Sequence, residues 1–371
     1  MSLIKEIFQK KPAIFSRLIW FWLGILLLII RAITPPQYIE TFYSRQLFLW
    51  VRKLFDYTLA WFPMPLLLFF YVFALYFVVK IVILLFSKKR PLRQRLTEGG
   101  LKLLNFLGVM LFGFFILWGF NYGRPSFAKQ IGLTIQKLDT TALRQELLVA
   151  TQEALAARDT LVKQLIAEKK IANDTISAFE IPDNFESNIR NDVSQLLNKY
   201  SFPAGGNLRG RQVQPDGLLF RFGISGIYMP YIGESSIDNA LHPLEKPFSM
   251  AHEMAHGFGW TEEATANFVA YLTCVQSKDL FTRYSGHLSY FRYVASNFRR
   301  QFPKEYKIFR EKLPSGIKND LTAINQRIEK YPDWLDTTPL NDFYLKSQGV
   351  TEGVESYSRI VVLVNSWRRK F

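Results

Sequence analysis

The chain has 371 residues, of which 49% are hydrophobic and 16% aromatic, and its formal net charge at pH 7 is +15. The first 124 residues hold 16 of the 46 basic residues but four of the 31 acidic ones, so most of the excess charge flanks the most apolar part of the chain. This distribution is typical of membrane proteins and argues against a nucleic-acid-binding protein.

Three apolar segments predict transmembrane helices, at about residues 18–34, 61–86 and 101–122. The second and third have the roughly 20 apolar residues that a helix needs to cross a bilayer. The first is shorter and resembles the core of a signal peptide, but residues 31–35 make a poor cleavage site, so we expect it to remain as a span. Residues 37–60 alternate apolar and polar side chains at helical spacing, which predicts a helix along the membrane surface.

Basic residues predict the orientation of these spans. Four of them precede the first span, and five lie at 88–95 between the second and the third, whereas the loop between the first two spans is nearly balanced in charge. By the positive-inside rule, the N-terminus and the 88–95 block are cytoplasmic. We therefore predict a multi-pass protein of the cell membrane, in which residues 1–124 contact the lipid bilayer and everything after Tyr122 is extracytoplasmic.

The remaining chain predicts an α+β fold, mainly helical with a small β-sheet. Residues 125–200 are rich in helix-forming side chains and form a helical linker, and residues 201–371 form the main domain. Within that domain, residues 218–232 mix aromatic and β-branched side chains, which predicts a strand or hairpin whose edge could pair with an extended peptide. Two helices are predicted after it, at about 249–257 and 261–275.

The most informative segment is His252-Glu253-Met254-Ala255-His256. Residues i and i+4 share one face of a helix, so both imidazoles can reach a single ion. Glu253 lies about 100° round the helix, which suits it to act on a water molecule. This His-Glu-x-x-His pattern predicts a Zn²⁺ site with His252 and His256 as ligands and Glu253 as general base. The simpler alternative is a solvated helix face on which the pattern arises by chance.

Two carboxylates are in range for the third ligand. Glu262 would complete His-Glu-x-x-His-x-x-Gly-x-x-Glu, a layout that resembles the metzincins with Glu in place of their third His. Glu263 would instead place the carboxylate on the following helix, with Asn267 one turn later, as in the gluzincins. Asp usually stands at the position of Asn267, although the Asn side-chain carbonyl can also accept a histidine N–H.

Beyond the motif, the chain resembles the bacterial membrane-anchored family catalogued as domain of unknown function 3810, a group assigned to the gluzincin-like peptidases by its motif. The matching stretches are spread over residues 220–365 and are 226–234, 247–256, 266–272, 284–287, 341–346 and 353–357. The resemblance implies a zincin-like domain in which Glu263 is the third zinc ligand. Members usually carry Glu before the Ala-Asn-Phe sequence, where this chain has Thr265.

A peptidase site also needs a donor for the oxyanion. The candidates are a histidine and five tyrosines: His287, Tyr228, Tyr231, Tyr290, Tyr293 and Tyr357. We favour His287 and Tyr357, because both lie in family-like segments after the motif. The predicted function is a membrane-anchored zinc metallopeptidase that hydrolyses a peptide or protein substrate on the extracytoplasmic face. The alternative is a zincin-like domain that binds an envelope component without turnover.

Overall fold

The computed structural model describes residues 16–86, 91–176, 181–182, 184–334, 339 and 359–371. The chain divides into two compact units. The N-terminal unit consists of Met1–Phe55, Phe62–Arg124 and Pro230–Ile232, and the C-terminal unit comprises Asp56–Trp61, Pro125–Met229 and Gly233–Phe371.

The longer helices of the N-terminal unit are α1 (Ile19–Ile33), α2 (Phe48–Tyr57), α3 (Leu67–Phe86) and α4 (Leu92–Leu117). Within the described residues, α3 and α4 are long and apolar enough to cross a membrane, which indicates membrane association. The first predicted span falls on α1. This helix is long and apolar enough for a membrane span only when it is joined to Pro36–Trp61, and the two parts meet at a bend of 113°. Helix α4 starts nine residues before the third apolar segment, because the helix continues through the preceding basic residues.

Small residues bring α1 and α4 together. A β-carbon at Gly24 would lie 2.9 Å from the carbonyl oxygen of Gly108, and one at Gly108 would lie 2.3 Å from the backbone of Phe21. The two helix backbones therefore approach more closely than larger side chains would permit, as is common between helices in membranes.

The C-terminal unit is mainly helical, with a small sheet, as its sequence predicts. Its elements follow in chain order: α5 (Thr140–Ala167), α6 (Phe185–Lys199), β1 (Arg209–Val213), β2 (Gly226–Met229), β3 (Glu234–Asp238), α7 (Lys246–Gly257), α8 (Glu263–Gln276), α9 (Leu280–Gln301), α10 (Pro303–Lys312), α11 (Ser315–Glu329) and α12 (Ile360–Lys370). In the described part of the chain the sheet order is β1-β3-β2, with β1 parallel and β2 antiparallel to β3. The predicted strand at 218–232 contains β2, whereas β1 and β3 lie outside the predicted strand.

The central strand β3 is polar and yet fully buried. Glu234 accepts hydrogen bonds from Arg209 Nε at 2.6 Å and from Ser236 Oγ at 3.0 Å. Asp238 accepts from four backbone N–H groups, those of Gly217, Leu219, Phe220 and Ala240. Because buried polar groups are stable only when they are paired, these partners explain how such a strand can occupy the core. Asp238 also fixes the loop that leads into β2.

Helix α7 packs against β3, α6 and α8, and α9 crosses the same layer. Ser235 Oγ on β3 donates to the carbonyl oxygen of Glu253 at 2.9 Å, which holds α7 on the sheet. The helix ends at Gly257, and Gly259 takes a left-handed conformation with φ of +86° while Trp260 N–H bonds back to Ala255 O. This turn starts α8 at Glu263 and directs it back alongside α7.

Candidate metal centre

Three side chains from α7 and α8 converge on one point. Nε2 of His252 and Nε2 of His256 are 3.1 Å apart. Glu263 directs one carboxylate oxygen to 3.2 Å from His252 Nε2 and the other to 3.6 Å from His256 Nε2. The three side chains are 12%, 8% and 14% exposed, so the cluster is mostly enclosed and still reachable from solvent.

These separations fit a zinc ion. Ligand atoms about 2.1 Å from Zn²⁺ at tetrahedral angles lie roughly 3.4 Å from one another. The distance of 3.1 Å between the two imidazole nitrogens, and those of 3.2 and 3.6 Å from them to the two different oxygens of Glu263, fall on either side of that value. Two imidazole nitrogens and one carboxylate oxygen are also a donor set that zinc accepts at catalytic sites, where a fourth position is left open.

The other ring nitrogen of each histidine is hydrogen-bonded to an oxygen. His252 Nδ1 lies 2.8 Å from Asn267 Oδ1, and His256 Nδ1 lies 2.7 Å from the carbonyl oxygen of Trp260. Because these oxygens are acceptors, each Nδ1 carries a proton, and each Nε2 is directed toward the cluster. Tyr293 OH donates to the same Asn267 oxygen at 3.0 Å, which fixes the orientation of the amide.

Glu263 and His256 shift each other's pKa. Burial by itself would lower the pKa of His256, but the Glu263 carboxylate outweighs this effect and raises it to about 9. Burial would raise the pKa of Glu263, but His256 and His252 hold it well below its ordinary value. A divalent cation would take the place of the proton that this arrangement attracts.

Glu253 lies next to the cluster and against the edge strand. Burial raises the pKa of its carboxyl above the ordinary value, against the opposing effect of the His252 and His256 imidazoles. The backbone N–H of Tyr228 donates to this carboxylate. A β-carbon at Gly226 would lie 2.6 Å from Glu253 Oε1, so only glycine permits β2 to approach so closely.

The structure brings Glu263 rather than Glu262 to the two histidines. Glu262 precedes α8 as its N-cap residue and has other partners: it accepts from Thr265 Oγ1 at 2.7 Å and from Arg359 at 3.3 Å. Thr265 therefore contributes to holding the Glu262 carboxylate outside the cluster.

His287, one of the two favoured oxyanion donors, has its contacts away from the cluster. His287 Nδ1 lies 3.5 Å from Glu153 Oε2, and its ring contacts Tyr271 edge-on. On α9 it precedes Tyr293 by six residues, which places it about 240° round the helix and about 9 Å along it. Tyr357 lies outside the described residues.

The four remaining tyrosine candidates differ in their hydrogen-bond partners. Tyr290 OH donates to Glu146 at 2.7 Å, and Tyr231 belongs to the N-terminal unit, where its hydroxyl donates to Met110 O at 2.9 Å. Tyr228 contributes its backbone N–H to Glu253. Tyr293 is the one whose hydroxyl lies in the hydrogen-bond chain to His252, and burial raises its pKa to about 12.

A cleft of about 530 Å³ lies on the Tyr293 side of the site, and its lining does not include His252, Glu253, His256 or Glu263. Tyr293 lines it, as do Ser249, which is one turn before Glu253 on α7, and Ser225, which directly precedes Gly226 on β2. These three residues place the cleft next to α9, α7 and the start of β2. The arrangement can hold a metal ion, place a carboxylate beside it and receive an elongated ligand.

The family model described as "Protein of unknown function (DUF3810)" matches residues 43–365. The chain belongs to this family. No curated protein and no solved structure matches it.

Proposed function

From membership of a family without an assigned function, and from the geometry of the metal centre, we propose that this protein is a membrane-anchored zinc metallopeptidase with a gluzincin-like site. The observation that carries the proposal is the convergence of His252, His256 and Glu263 with separations of 3.1–3.6 Å. Both histidines have Nδ1 bound to oxygen, which leaves Nε2 available as the ligand atom and supports this proposal.

His252, His256 and Glu263 would hold the Zn²⁺. When bound, the ion supplies Lewis acidity toward a peptide carbonyl and toward water. Glu253 would take a proton from the attacking water and deliver it to the leaving amine, so that OH adds to the carbonyl carbon and H to the nitrogen of the cleaved bond. Its raised pKa supports this role, since a base that must also give up the proton works best near the ambient pH.

The elements around the metal centre have separate roles in this proposal. Asn267, which Tyr293 holds in place, is a positioning residue for His252. Strand β2 is an edge strand of the described sheet, so an extended peptide can add beside it and carry its scissile bond past Glu253. The charge pattern of residues 1–124 supports an extracytoplasmic location for this chemistry.

A binding domain without turnover is the alternative, and Asn267 favours it. Its amide nitrogen is buried and has no hydrogen-bond partner among the described residues, whereas Asp at this position would leave no such group. In that case the metal would be structural, and Glu253 would have no chemical role.

The deciding experiment compares the full-length wild-type protein with Glu253→Gln in detergent, on a library of quenched fluorescent peptides. We expect wild type to cleave members of the library, activity to disappear with a chelator and return with zinc, and Glu253→Gln to lose at least about 1,000-fold in kcat/KM while keeping its zinc. Equal activity in the two proteins, or no cleavage by zinc-loaded wild type, would refute the peptidase proposal.

A further inference from the structure

The cleft beside the metal centre has an unbalanced charge. Of the described residues that line it, three are arginines, Arg292, Arg299 and Arg310, and one is acidic, Glu245. Arg292 NH1 bonds to Glu245 Oε1 at 2.5 Å, so this pair is internally neutral. The guanidinium groups of Arg299 and Arg310 form no ion pair with any residue that the structure describes, and both side chains are exposed. The cleft therefore presents two uncompensated positive charges.

The surrounding chain reinforces this field. Residues 292–312 hold seven of the 30 basic residues that follow residue 124 and two of the 27 acidic ones. The rest of that region has 23 basic and 25 acidic residues, so residues 292–312 account for its net positive charge. One of the two acidic residues, Glu305, is already paired with Arg144 at 2.8 Å. Like charges that line one wall of a cleft attract a ligand of opposite sign.

The other cleft walls suit a peptide. Tyr306 and the exposed edges of Phe220 and Phe248 give the cleft aromatic surface for side chains. Arg299 lines the same cleft as Tyr293, about 9 Å further along the axis of α9 and about 240° round it, and Arg310 lines it from α10. A peptide that lies in this cleft would bring a carboxylate within reach of these two side chains.

We propose that this cleft selects peptides with a carboxylate to one side of the cleaved bond, and that Arg299 and Arg310 are the specificity-determining residues. The inference rests on the proposed function, because it names the substrate class of the same site. The carboxylate can come from an Asp or Glu side chain or from a free C-terminus, and the two sources present the same chemistry to a guanidinium.

The test uses full-length protein and one series of decapeptides in which a single Glu replaces Gln at each position in turn, with free or amidated C-termini. Cleavage is measured with wild type, the double variant Arg299→Gln/Arg310→Gln and the matched control Arg300→Gln, which changes an exposed charge next to Arg299 outside the cleft. Binding of the same peptides to Glu253→Gln, alone and combined with the arginine variants, is measured by fluorescence anisotropy.

We expect a preference of about tenfold for the acidic peptides, which the double variant reduces to about twofold or less and high salt weakens, since exposed ion pairs are each worth only about threefold. Arg300→Gln should keep the full preference. A preference for Glu over Gln that is also seen in amidated peptides assigns the side chain as the source of the carboxylate. A preference for free over amidated C-termini assigns the C-terminus.

Cleavage without an acidic preference, or a preference that the double variant retains, would overturn this inference and leave the peptidase proposal intact. Arginine-dependent binding of acidic peptides without any cleavage would refute the peptidase proposal. It would still support the cleft as a site that selects acidic peptides.

Discussion

Asn267 offers a sharp test of how the metal centre is organised. Its Oδ1 accepts hydrogen bonds from His252 Nδ1 at 2.8 Å and from Tyr293 OH at 3.0 Å, and its side chain is fully buried. Asn267→Ala removes the acceptor of two buried donors and frees the His252 ring to turn. Asn267→Asp keeps an acceptor in place and removes the amide nitrogen that has no partner among the described residues.

The expected magnitudes follow from these contacts. Loss of a group that orients a ligand histidine typically costs about 10- to 100-fold in metal affinity. We therefore expect Asn267→Ala to weaken zinc binding by about that factor and to lower the free energy of unfolding by about 2 kcal/mol, since two buried donors lose their partner. Tyr293→Phe leaves the His252 contact intact, so its effect on zinc binding should be about threefold or less. Asn267→Asp should bind zinc at least as tightly as wild type, because a carboxylate is the stronger partner for an imidazole N–H.

Zinc affinity of the full-length variants can be measured by competition with a chromophoric chelator at constant pH, with thermal unfolding of the metal-free proteins as a check on folding. The expected order of affinity is Asn267→Asp, wild type, Tyr293→Phe and Asn267→Ala, from tightest to weakest. If Asn267→Ala folds and binds zinc as tightly as wild type, then Asn267 does not orient His252 and the reasoning is wrong.

Three further outcomes follow from other contacts. Gly226→Ala should lower kcat about tenfold or more with zinc content unchanged, because a β-carbon 2.6 Å from Glu253 Oε1 displaces the base; unchanged kcat would contradict this. Burial and nearby Arg327, Arg292 and Lys246 lower the pKa of His242 to about 4, so the unfolded state binds more protons between pH 6.5 and 4. Stability should fall by about 2 kcal/mol as the pH drops through that window, and a pH series of unfolding temperatures should show a smaller fall for His242→Asn. Asp238→Ala should cost at least about 3 kcal/mol in denaturant unfolding because four backbone N–H groups lose their acceptor, and a loss below about 1 kcal/mol would exclude the anchoring role of this residue.

The local part of the metal centre could be predicted from the sequence because it depends on helix periodicity. His252 and His256 share a face at i and i+4, and Glu263 and Asn267 repeat that relation on the next helix. The choice between Glu262 and Glu263 was left open by residue spacing. It depends on the left-handed Gly259, on the start of α8 at Glu263 and on Arg359, which binds Glu262 from nearly 100 residues away.

The parts that depend on long-range packing were not predicted. Tyr293 reaches Asn267 from 26 residues further along the chain, and no periodic pattern distinguishes it from the other tyrosines. Strand β3 has the sequence of a loop, and its burial depends on Arg209 and on backbone N–H groups of a distant turn. His287 was favoured because it lies in a family-like segment, whereas its contacts are with Glu153 and Tyr271.

The most direct test of the central claim is the zinc content of the full-length protein, measured by elemental analysis in wild type, Glu263→Gln and Glu262→Gln. The two variants change adjacent carboxylates by the same single atom, and only Glu263 lies within 3.6 Å of the histidines. We predict one zinc per chain in wild type and in Glu262→Gln, and a loss of stoichiometric zinc in Glu263→Gln. Stoichiometric zinc in Glu263→Gln, or its absence from wild type, would contradict the assignment of His252, His256 and Glu263 as the metal centre.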